Sequence, residues 1–378
     1  MKILYHYRTA ANDGQAVHRE ELIAAFRSLG HEVFVVGPAR AVVDDASTAD
    51  SALSLLRNRL PRSLHELLEL AYCVPDFLRL LATYRRVRPD FVYERYNLFL
   101  LSGAWLKRTT NVPFAVEVNS PLTDERAAHG GLAWTALARF ADQTVWRAAD
   151  VALPVTGVLA RYLEREGVSA NRIMVVANGI DEARLSVASV ETAVRQELGL
   201  DKRIVLGFTG FVREWHGLHR VVELLTAEPA LHLLVVGDGP ARASLERQAA
   251  ERGVADRFTV TGVVPHGKVA WYVNAFDIAL QPASTPWASP LKLFEYMALA
   301  CAIVAPDQEN LREVLDHGET ALLFDPEWPE TLSDAIRRLA GDPCLRGRLG
   351  TAARAAIHTR GFTWRRNAER ILEAMARC

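Results

Sequence analysis

The chain has 378 residues, half of them hydrophobic, so it is long enough to form two cores with a cleft between them. Its 44 Lys and Arg residues nearly balance 45 Asp and Glu residues, and the resulting net charge of -1 argues against a nucleic-acid partner. Four scattered cysteines, without the spacing of a zinc site or a disulfide framework, exclude a Cys-based metal centre and fit a reducing compartment.

Short apolar runs alternate with helical patterns through the first half, which predicts strand-helix-strand units and a parallel sheet. We predict a helix at 15–29 and strands at 3–7, 32–36, 91–93, 114–118, 151–154 and 173–176. These elements form an amino-terminal domain over residues 1–180. The chain opens directly on a strand, and no apolar run of about 18 residues follows, so we expect a soluble, cytoplasmic protein.

The segment 51–88 differs from its surroundings because it is locally basic. It carries seven Arg residues against Glu66, Glu69 and Asp76, and Leu, Phe and Tyr are interleaved with them. This pattern predicts amphipathic helices whose basic face could rest on anionic lipid, with peripheral association at the inner membrane surface. The alternative is that the Arg stems cover ordinary helices.

The alternation restarts beyond a polar stretch at 178–202, which we interpret as a hinge. Strands are predicted at 204–209, 231–236, 258–261, 278–280, 302–304 and 321–324. They define a carboxyl-terminal domain over 200–360, and we expect a final helix within 361–378 to pack back on the first domain. The fold class is therefore α/β, with two doubly wound domains whose strands end at a shared cleft.

The segment 289–298 runs from a polar turn into an apolar helix and has the clearest chemical meaning. Lys292 and Glu295 are three residues apart and so share one face of the first turn. A helix start offers unpaired N–H groups and a positive dipole end, so with Lys292 it suits a diphosphate, while Glu295 suits sugar hydroxyls. The alternative is an ordinary amphipathic helix with both charges solvated.

Three shorter motifs lie where predicted strands end. Gly-Phe-Thr-Gly ends at Gly210 and is followed by Arg213, whose planar fork of donors suits phosphate, and by His216. Asn-Gly-Ile-Asp begins at Asn178, and Gly-Asp-Gly-Pro begins at Gly237. Taken singly, Arg213 is interpreted as a surface ion-pair residue, and the motifs at Asn178 and Gly237 are interpreted as turns.

Three motifs occur in this order: Asn-Gly-Ile-Asp, Gly-Asp-Gly-Pro and Pro-Leu-Lys-Leu-Phe-Glu-Tyr-Met-Ala. With them, the chain resembles the retaining glycosyltransferases of family 4, which have the GT-B fold. The resemblance spans nearly the whole chain. Within that family, Tyr-Glu-Arg-Tyr-Asn at 93–97 and Glu-Val-Asn-Ser-Pro-Leu at 117–122 are most similar to enzymes of bacterial surface polysaccharide assembly.

The resemblance implies transfer of a sugar, with retained configuration, from a UDP- or GDP-type nucleotide sugar to a glycan, lipid-linked or small-molecule acceptor. It implies three sets of residues: a catalytic set of Arg213, His216, Lys292 and Glu295; a donor-binding set of Gly14, Gly210, Val263, Val264, Ser289, Pro290 and Leu291; and an acceptor-binding set of Gln15, His18, Glu117 and Asn119. The alternative for Glu117 and Asn119 is that they only cap the loop after their strand. The sequence has no Asp-x-Asp, so we expect neither a metal site nor a cofactor beyond the nucleotide sugar.

Two positions depart from the family pattern. The family often has Lys where His216 stands and an acidic residue where Trp287 stands. A neutral His216 would offset the leaving diphosphate less well than Lys, so either Arg213 and Lys292 carry more of that task or His216 is protonated with donor bound. The departures keep open an alternative, a non-catalytic GT-B subunit that binds a sugar nucleotide or a partner enzyme.

Other doubly wound enzymes fit the sequence less well. A nicotinamide or flavin enzyme would need a Gly-rich turn after the first strand, and this chain has Arg-Thr-Ala-Ala-Asn-Asp-Gly there. A nucleotide-sugar epimerase on the same fold would not be expected to carry the Lys292 and Glu295 helix.

Overall fold

The structure, a computed structural model, describes residues 1–9, 14–38, 61–128, 131–181, 191–328 and 330–378, with side chains for all of these except 14, 15, 191–193 and 266. Residues 51–60 of the predicted basic segment and 182–190 of the predicted hinge lie outside the described residues. The described chain divides into two compact units, which we call unit 1 (Met1–Ala177 with Ala368–Cys378) and unit 2 (Asn178–Asn367).

Unit 1 is built on a parallel sheet. Its strands are β1 (Lys2–His6), β2 (Glu32–Val36), β3 (Phe91–Arg95), β4 (Phe114–Val118) and β5 (Val151–Pro154), in the spatial order β2-β1-β3-β4-β5. The helices described along this part of the chain are α1 (Gly14–Ser28), α2 (Arg62–Ala71), α3 (Cys73–Val87), α4 (Ser102–Thr110), α5 (Leu122–Ala128), α6 (Thr135–Ala148) and α7 (Gly157–Arg165).

The central strands of unit 1 are buried on both faces, as expected for a parallel sheet covered by helices. All five residues of β4 are buried, β1 is exposed only at Lys2, and β3 is buried except for the partly buried Arg95. The Tyr5 and Tyr93 rings stack across these two strands with centroids 4.9 Å apart. The strands therefore end together, and the side chains that follow β1, β3 and β4 meet at one edge of the sheet.

Unit 2 contains a second parallel sheet, formed by β6 (Ile204–Thr209), β7 (Leu231–Val236), β8 (Phe258–Val260), β9 (Ile278–Leu280), β10 (Ala302–Pro306) and β11 (Leu322–Phe324). Their spatial order is β11-β10-β9-β6-β7-β8. The helices described in sequence are α8 (Glu191–Glu197), α9 (Leu218–Ala227), α10 (Arg242–Glu251), α11 (His266–Asn274), α12 (Leu291–Ala298), α13 (Glu309–Arg312), α14 (Glu330–Gly341) and α15 (Pro343–Thr359).

The core of unit 2 lies between this sheet and its helices and is made of aliphatic side chains with a few aromatic rings. Gly207, in the middle of β6, lies against the Phe276 ring, and a Cβ at Gly207 would stand 2.0 Å from it. A larger residue there would force the ring out of the core. The chain closes with α16 (Trp364–Met375), which begins in unit 2 and continues into unit 1.

The prediction of two doubly wound α/β units is confirmed, and the strands lie within two residues of their predicted ends, with one exception. The predicted strand at 173–176 forms a single bridge between Ile173 and Ala152, continued by a hydrogen bond from the Val176 N–H to the Pro154 carbonyl. It extends the sheet edge beside β5 without becoming a regular strand. Within the described ranges, no helix has both the length and the apolar character needed to cross a bilayer.

Candidate active site

Two glycines shape the sheet edge of unit 2 where β6 and β7 end. Gly210 has a φ of 117° and Gly237 a φ of 140°, backbone conformations that favour glycine. A Cβ on Gly237 would stand 2.1 Å from the Gly210 carbonyl oxygen, and one on Gly210 would stand 3.6 Å from Lys292 Nζ. Because Gly210 has no side chain, its backbone is accessible beside the Lys292 ammonium group, as the predicted donor site requires.

Lys292 is a partly buried cation at this edge. Its Nζ lies 3.6 Å from the centroid of the Phe208 ring, over the end of β6. Burial lowers the pKa of Lys292 to about 7, although the Glu295 carboxylate opposes this shift. A group with that pKa gains charge readily when an anion arrives, because the anion replaces the hydration that burial removed.

His216 is buried beside Lys292 and is neutral. Burial, together with the positive charges of Lys292 and Arg213, lowers the pKa of His216 to about 3. Its Nδ1 accepts a hydrogen bond from the Arg213 backbone N–H at 3.1 Å, so the other ring nitrogen carries the proton and can donate. The sequence left two alternatives open for offsetting the leaving diphosphate. This environment favours the one in which Arg213 and Lys292 are the cations and His216 is a neutral hydrogen-bond donor.

The start of α12 is held against β6 by specific hydrogen bonds. The Tyr296 hydroxyl accepts from the Thr209 N–H at 2.9 Å, which fixes the register of helix and strand end. Pro290 is the N-cap, and its side chain makes no cap hydrogen bond, so the place of a capping group is open to a ligand. Glu295, one turn in, is partly buried on the same face as Lys292.

Side-chain amides hold the loop that precedes α12, and sequence reasoning missed most of them. Asn310 donates to the carbonyls of Thr285 and Ala288 at 3.1 and 2.7 Å, and Gln308 donates to the Ser284 carbonyl at 3.3 Å. Asn178, in the predicted Asn-Gly-Ile-Asp turn, donates its backbone N–H to Ser289 Oγ at 3.2 Å. This turn therefore holds the loop that precedes α12 in place.

Val263 and Val264, predicted to meet the nucleotide base, follow β8. Val263 is 85% exposed, so its side chain makes little contact with the described residues. The adjacent Gly262 bridges to Gly237, which brings this backbone to the same sheet edge as Gly210. Arg213 is exposed, with its guanidinium carbon 4.9 Å from the centroid of the Phe211 ring.

In unit 1, Glu117 near the end of β4 is the centre of a buried polar cluster. One carboxylate oxygen accepts from the Tyr93 hydroxyl at 2.6 Å and lies 3.1 Å from His18 Nε2, while the other accepts from Arg95 and Asn119. Burial alone would raise the pKa of Glu117, but Arg95, His18 and Tyr93 hold it well below its usual range. Both oxygens are engaged, so the predicted acceptor residues His18, Glu117 and Asn119 form one group in which Glu117 positions the other two.

The two other predicted residues of unit 1, Gly14 and Gln15, begin α1. Their backbone therefore lies at a helix start, as expected for a loop that follows β1 and contacts a ligand.

A second buried polar cluster of unit 1 was not predicted. His6, fully buried at the end of β1, lies 2.7 Å from Glu94 and 2.9 Å from Asp76. Burial would lower the pKa of His6, but hydrogen bonds to these two carboxylates raise it to about 9. The imidazolium ties β1 to β3 and α3. The partners lie 70 and 88 residues away in sequence, so no local pattern signals them.

Two family models together cover most of the chain. The model described as "Glycosyl transferase 4-like domain" matches residues 13–179, and the one described as "Glycosyl transferases group 1" matches residues 190–356. The boundary between them falls between Gly179 and Val190, within the predicted hinge.

Proteins of similar sequence are also named as glycosyltransferases. The chain is 30% identical to a 2-deoxystreptamine glucosyltransferase of Streptomyces kanamyceticus over 65% of this chain and 65% of that protein. It is also 30% identical to a D-inositol 3-phosphate glycosyltransferase of Rhodococcus opacus (strain B4), over 76% of this chain and 68% of that protein. The chain thus spans just under two thirds of the length of the first relative.

Solved structures show the same fold. The crystal structure of Anabaena Alr3699/HepE in complex with UDP superposes with a TM-score of 0.80, at 20% identity, over the full length of both chains. WaaG, a glycosyltransferase involved in lipopolysaccharide biosynthesis, superposes with a TM-score of 0.72, at 13% identity, over 99% of each chain. Sequence and fold agree, and the chain belongs to the group 1, or family 4, glycosyltransferases with the GT-B fold.

Proposed function

We propose that the protein transfers a glycosyl unit from a nucleotide sugar to an acceptor hydroxyl, with retained anomeric configuration and without a metal ion. The observation that carries this proposal is the group formed by Lys292 and its neighbours at the end of β6. There, a buried ammonium group, a neutral imidazole donor and an uncapped helix start share one sheet edge. Retention is taken from the family resemblance.

The proposed reaction breaks the bond between the anomeric carbon and the diphosphate, and the bonding electrons leave on the diphosphate oxygen. The acceptor hydroxyl oxygen forms the new bond to that carbon, and its proton is released with the nucleoside diphosphate. Negative charge builds on the leaving group, so Lys292, Arg213 and the α12 N–H groups lower the barrier by binding it. These cations and N–H groups would take the role that a metal plays in metal-dependent transferases.

We propose a UDP-type donor, with a GDP-type donor as the alternative. The support is indirect: the superposed HepE structures are described as complexes with UDP and UDP-glucose. Glu295, on the face of α12 that carries Lys292, is the residue we propose for the ribose hydroxyls.

For the acceptor, we propose classes of molecule and no single compound. Two relatives are named for cyclitol acceptors of opposite charge, 2-deoxystreptamine and D-inositol 3-phosphate. We therefore add a small cyclitol to the glycan and lipid-linked sugars that the sequence suggested.

We also propose that unit 1 associates with anionic membranes through what we call the α2–α3 outer face. Its apolar members, Leu64, Leu67, Leu68, Val74 and Leu78, are each between 42% and 58% exposed. Leu67 and Leu68 lie three and four residues after Leu64 on α2, and Val74 and Leu78 are four residues apart on α3, so each helix contributes one part of an apolar stripe. Arg62 before this stripe and Arg85, Arg86 and Arg88 after it are exposed as well.

The acidic residues of α2 and α3 point away from that face. Glu66 is buried and accepts from the backbone N–H groups of Ala133 and Trp134 at 2.6 and 2.8 Å. Asp76 is buried against His6, and Glu69 pairs with Arg126 at 2.8 Å. Apolar and basic groups thus face outward together, which suits a surface with negative headgroups and an apolar interior.

The donor proposal is tested by thermal unfolding of the wild type and the Glu295→Ala variant with UDP, GDP, ADP, dTDP and their sugar conjugates, with and without EDTA. A ligand at a hundred times its dissociation constant stabilises a fold by about 2.7 kcal/mol. We expect UDP and UDP-glucose to raise the midpoint of the wild type regardless of EDTA, and to lose this effect in Glu295→Ala.

A matched control is Glu246→Ala, which removes an exposed carboxylate of unit 2 on α10. It should keep the shift. If no nucleotide shifts the wild type, the donor site is wrong. Nucleotide binding without donor hydrolysis or transfer to any acceptor would instead favour the alternative of a non-catalytic GT-B subunit.

A further inference from the structure

The loop between β9 and α12 carries no charged side chain, although it leads into the helix of Lys292 and Glu295. The sequence of residues 281–290 is Gln-Pro-Ala-Ser-Thr-Pro-Trp-Ala-Ser-Pro, and its backbone forms neither helix nor strand. The loop ends at Pro290, the N-cap of α12, where the donor diphosphate is proposed to bind. What the loop offers an anion is therefore set largely by the directions of its peptide groups.

Four amide side chains bind the carbonyl oxygens of this loop. Asn310 Nδ2 donates to the carbonyls of Thr285 and Ala288, at 3.1 and 2.7 Å. The other three amides donate to one carbonyl each: Gln281 to Ala283, Gln308 to Ser284, and Asn178 to Ser289. Asn310, Gln281 and Asn178 are no more than 6% exposed, so the oxygens that they bind are directed into the protein.

The same hydrogen bonds also fix where the loop's N–H groups point. A trans peptide group is planar, and its C=O and N–H bonds point in opposite directions; the described residues contain no cis peptide bond. Amides hold the carbonyls of Ala283, Ser284 and Ala288. The N–H groups of the residues that follow, Ser284, Thr285 and Ser289, therefore point away from those amides. Backbone N–H groups on one side of a loop suit an anion, which carbonyl oxygens in their place would repel.

Asn310 differs from the other amides because it binds both ends of one turn. The Ala288 N–H donates to the Thr285 carbonyl at 3.2 Å, which closes a four-residue turn with Pro286 and Trp287 at its centre. The two carbonyls that accept from Asn310 belong to the first and last residues of this turn. Asn310 therefore also fixes the backbone that carries Trp287, the one aromatic residue of the loop.

We infer that Asn310 is a positioning residue for the donor. It holds the carbonyls of Thr285 and Ala288 inward, so that the loop directs N–H groups to the diphosphate, and it acts through the loop without binding the donor itself. This inference rests on the proposed function and adds a residue to the donor site that lies outside the predicted sets. The base is proposed at Val263 and Val264, on another loop, so loss of Asn310 should weaken the binding of the diphosphate and spare that of the nucleoside.

The experiment is calorimetric titration with UDP-glucose and, separately, with uridine, which has the base and ribose alone. It compares the wild type with Asn310→Ala, which removes the donor to both carbonyls, and Asn310→Ser, which keeps one hydroxyl donor. Gln248→Ala is the matched control, because Gln248 also donates an amide N–H to a backbone carbonyl of unit 2, that of His219 at 3.0 Å.

We expect Asn310→Ala to raise the dissociation constant of UDP-glucose about 10-fold, because two loop carbonyls lose their donor, and to leave that of uridine unchanged. Asn310→Ser should lie between Asn310→Ala and the wild type, and Gln248→Ala should match the wild type. If Asn310→Ala binds UDP-glucose as the wild type does, the inference is wrong and the donor proposal stands. If the wild type binds no UDP-glucose, both are wrong.

Hydrogen exchange of the ligand-free protein separates a local role from general unfolding. Peptides that cover residues 281–290 should exchange faster in Asn310→Ala, while the remaining peptides of unit 2 keep their protection. Loss of protection throughout unit 2, or a loss of uridine affinity equal to that of UDP-glucose, would show that Asn310 only stabilises the fold and would overturn the inference.

Discussion

Lys292 is a cation whose surroundings oppose its charge until an anion arrives. Its pKa of about 7 stands well below the ordinary value because of burial. Below pH 7 the ammonium group is already formed in the free protein. Above pH 7, binding of a diphosphate must take up a proton, so affinity falls as pH rises toward the higher pKa of the complex, by up to about tenfold per pH unit.

The measurement is the dissociation constant of UDP-glucose between pH 6 and 9, since the diphosphate of a nucleotide sugar has no proton that titrates there. We expect a decline for the wild type above pH 7 and a flat profile for Lys292→Arg, which keeps its charge throughout. Lys292→Met should bind more weakly at low pH and also give a flat profile. A flat wild-type profile would contradict a proton uptake at Lys292.

Residues of local motifs were predictable, and residues of long-range clusters were not. Lys292 and Glu295 are a helical pair three apart, and their position near a helix start follows from the sequence around them. The sequence could not show that His216 is neutral, because that depends on its burial and on Lys292 from a distant helix. His6, Asp76 and Glu94 likewise become a cluster only when β1, β3 and α3 come together.

At the scale of elements, the α2–α3 outer face was anticipated only in part. The sequence showed an excess of arginine, whereas the structure shows that the exposed stripe is apolar, with arginines at its ends. The difference arises because Glu66 and Asp76 turn inward, which a charge count does not reveal.

This face predicts binding to anionic vesicles. The protein should sediment with phosphatidylglycerol-containing vesicles at low salt and less at high salt, with each arginine contributing about 1 kcal/mol. A triple variant, Leu64→Ser, Leu68→Ser and Leu78→Ser, should lose binding because the apolar contact is gone.

The control is Trp328→Ser, which removes an apolar side chain of unit 2 that is 60% exposed. It should bind vesicles like the wild type. Absence of wild-type sedimentation at low salt would refute the membrane proposal. If the solution mass of the wild type rises from monomer to dimer as protein concentration increases, and the triple variant stays a monomer, the face binds a second copy of the chain.

At the scale of the whole molecule, the carboxyl-terminal residues belong to the unit that begins the chain. Ala368, Ile371 and Met375 are buried, and Arg370 donates to the Val175 carbonyl at 2.8 Å. Removing residues 368–378 therefore opens the core of unit 1, at a cost of about 2 to 5 kcal/mol for each large side chain.

Hydrogen exchange followed by peptide mass would locate that damage. We expect peptides from residues 1–177 to exchange faster in the shortened protein, while those from 178–367 keep most of their protection. Removal of only the exposed residues 376–378 is the control and should change neither set. Equal loss in both sets would mean that the terminal segment stabilises unit 2 as well.

The path of α16 also sets the order in which the two halves can mature during synthesis. Unit 1 is translated first, yet it lacks residues 368–378 until the ribosome has passed the whole of unit 2. Unit 2 lies wholly within 178–367, so all its residues are synthesised before unit 1 has its last segment, 368–378. A late stop codon or proteolytic nick would therefore harm the half of the protein that was made first.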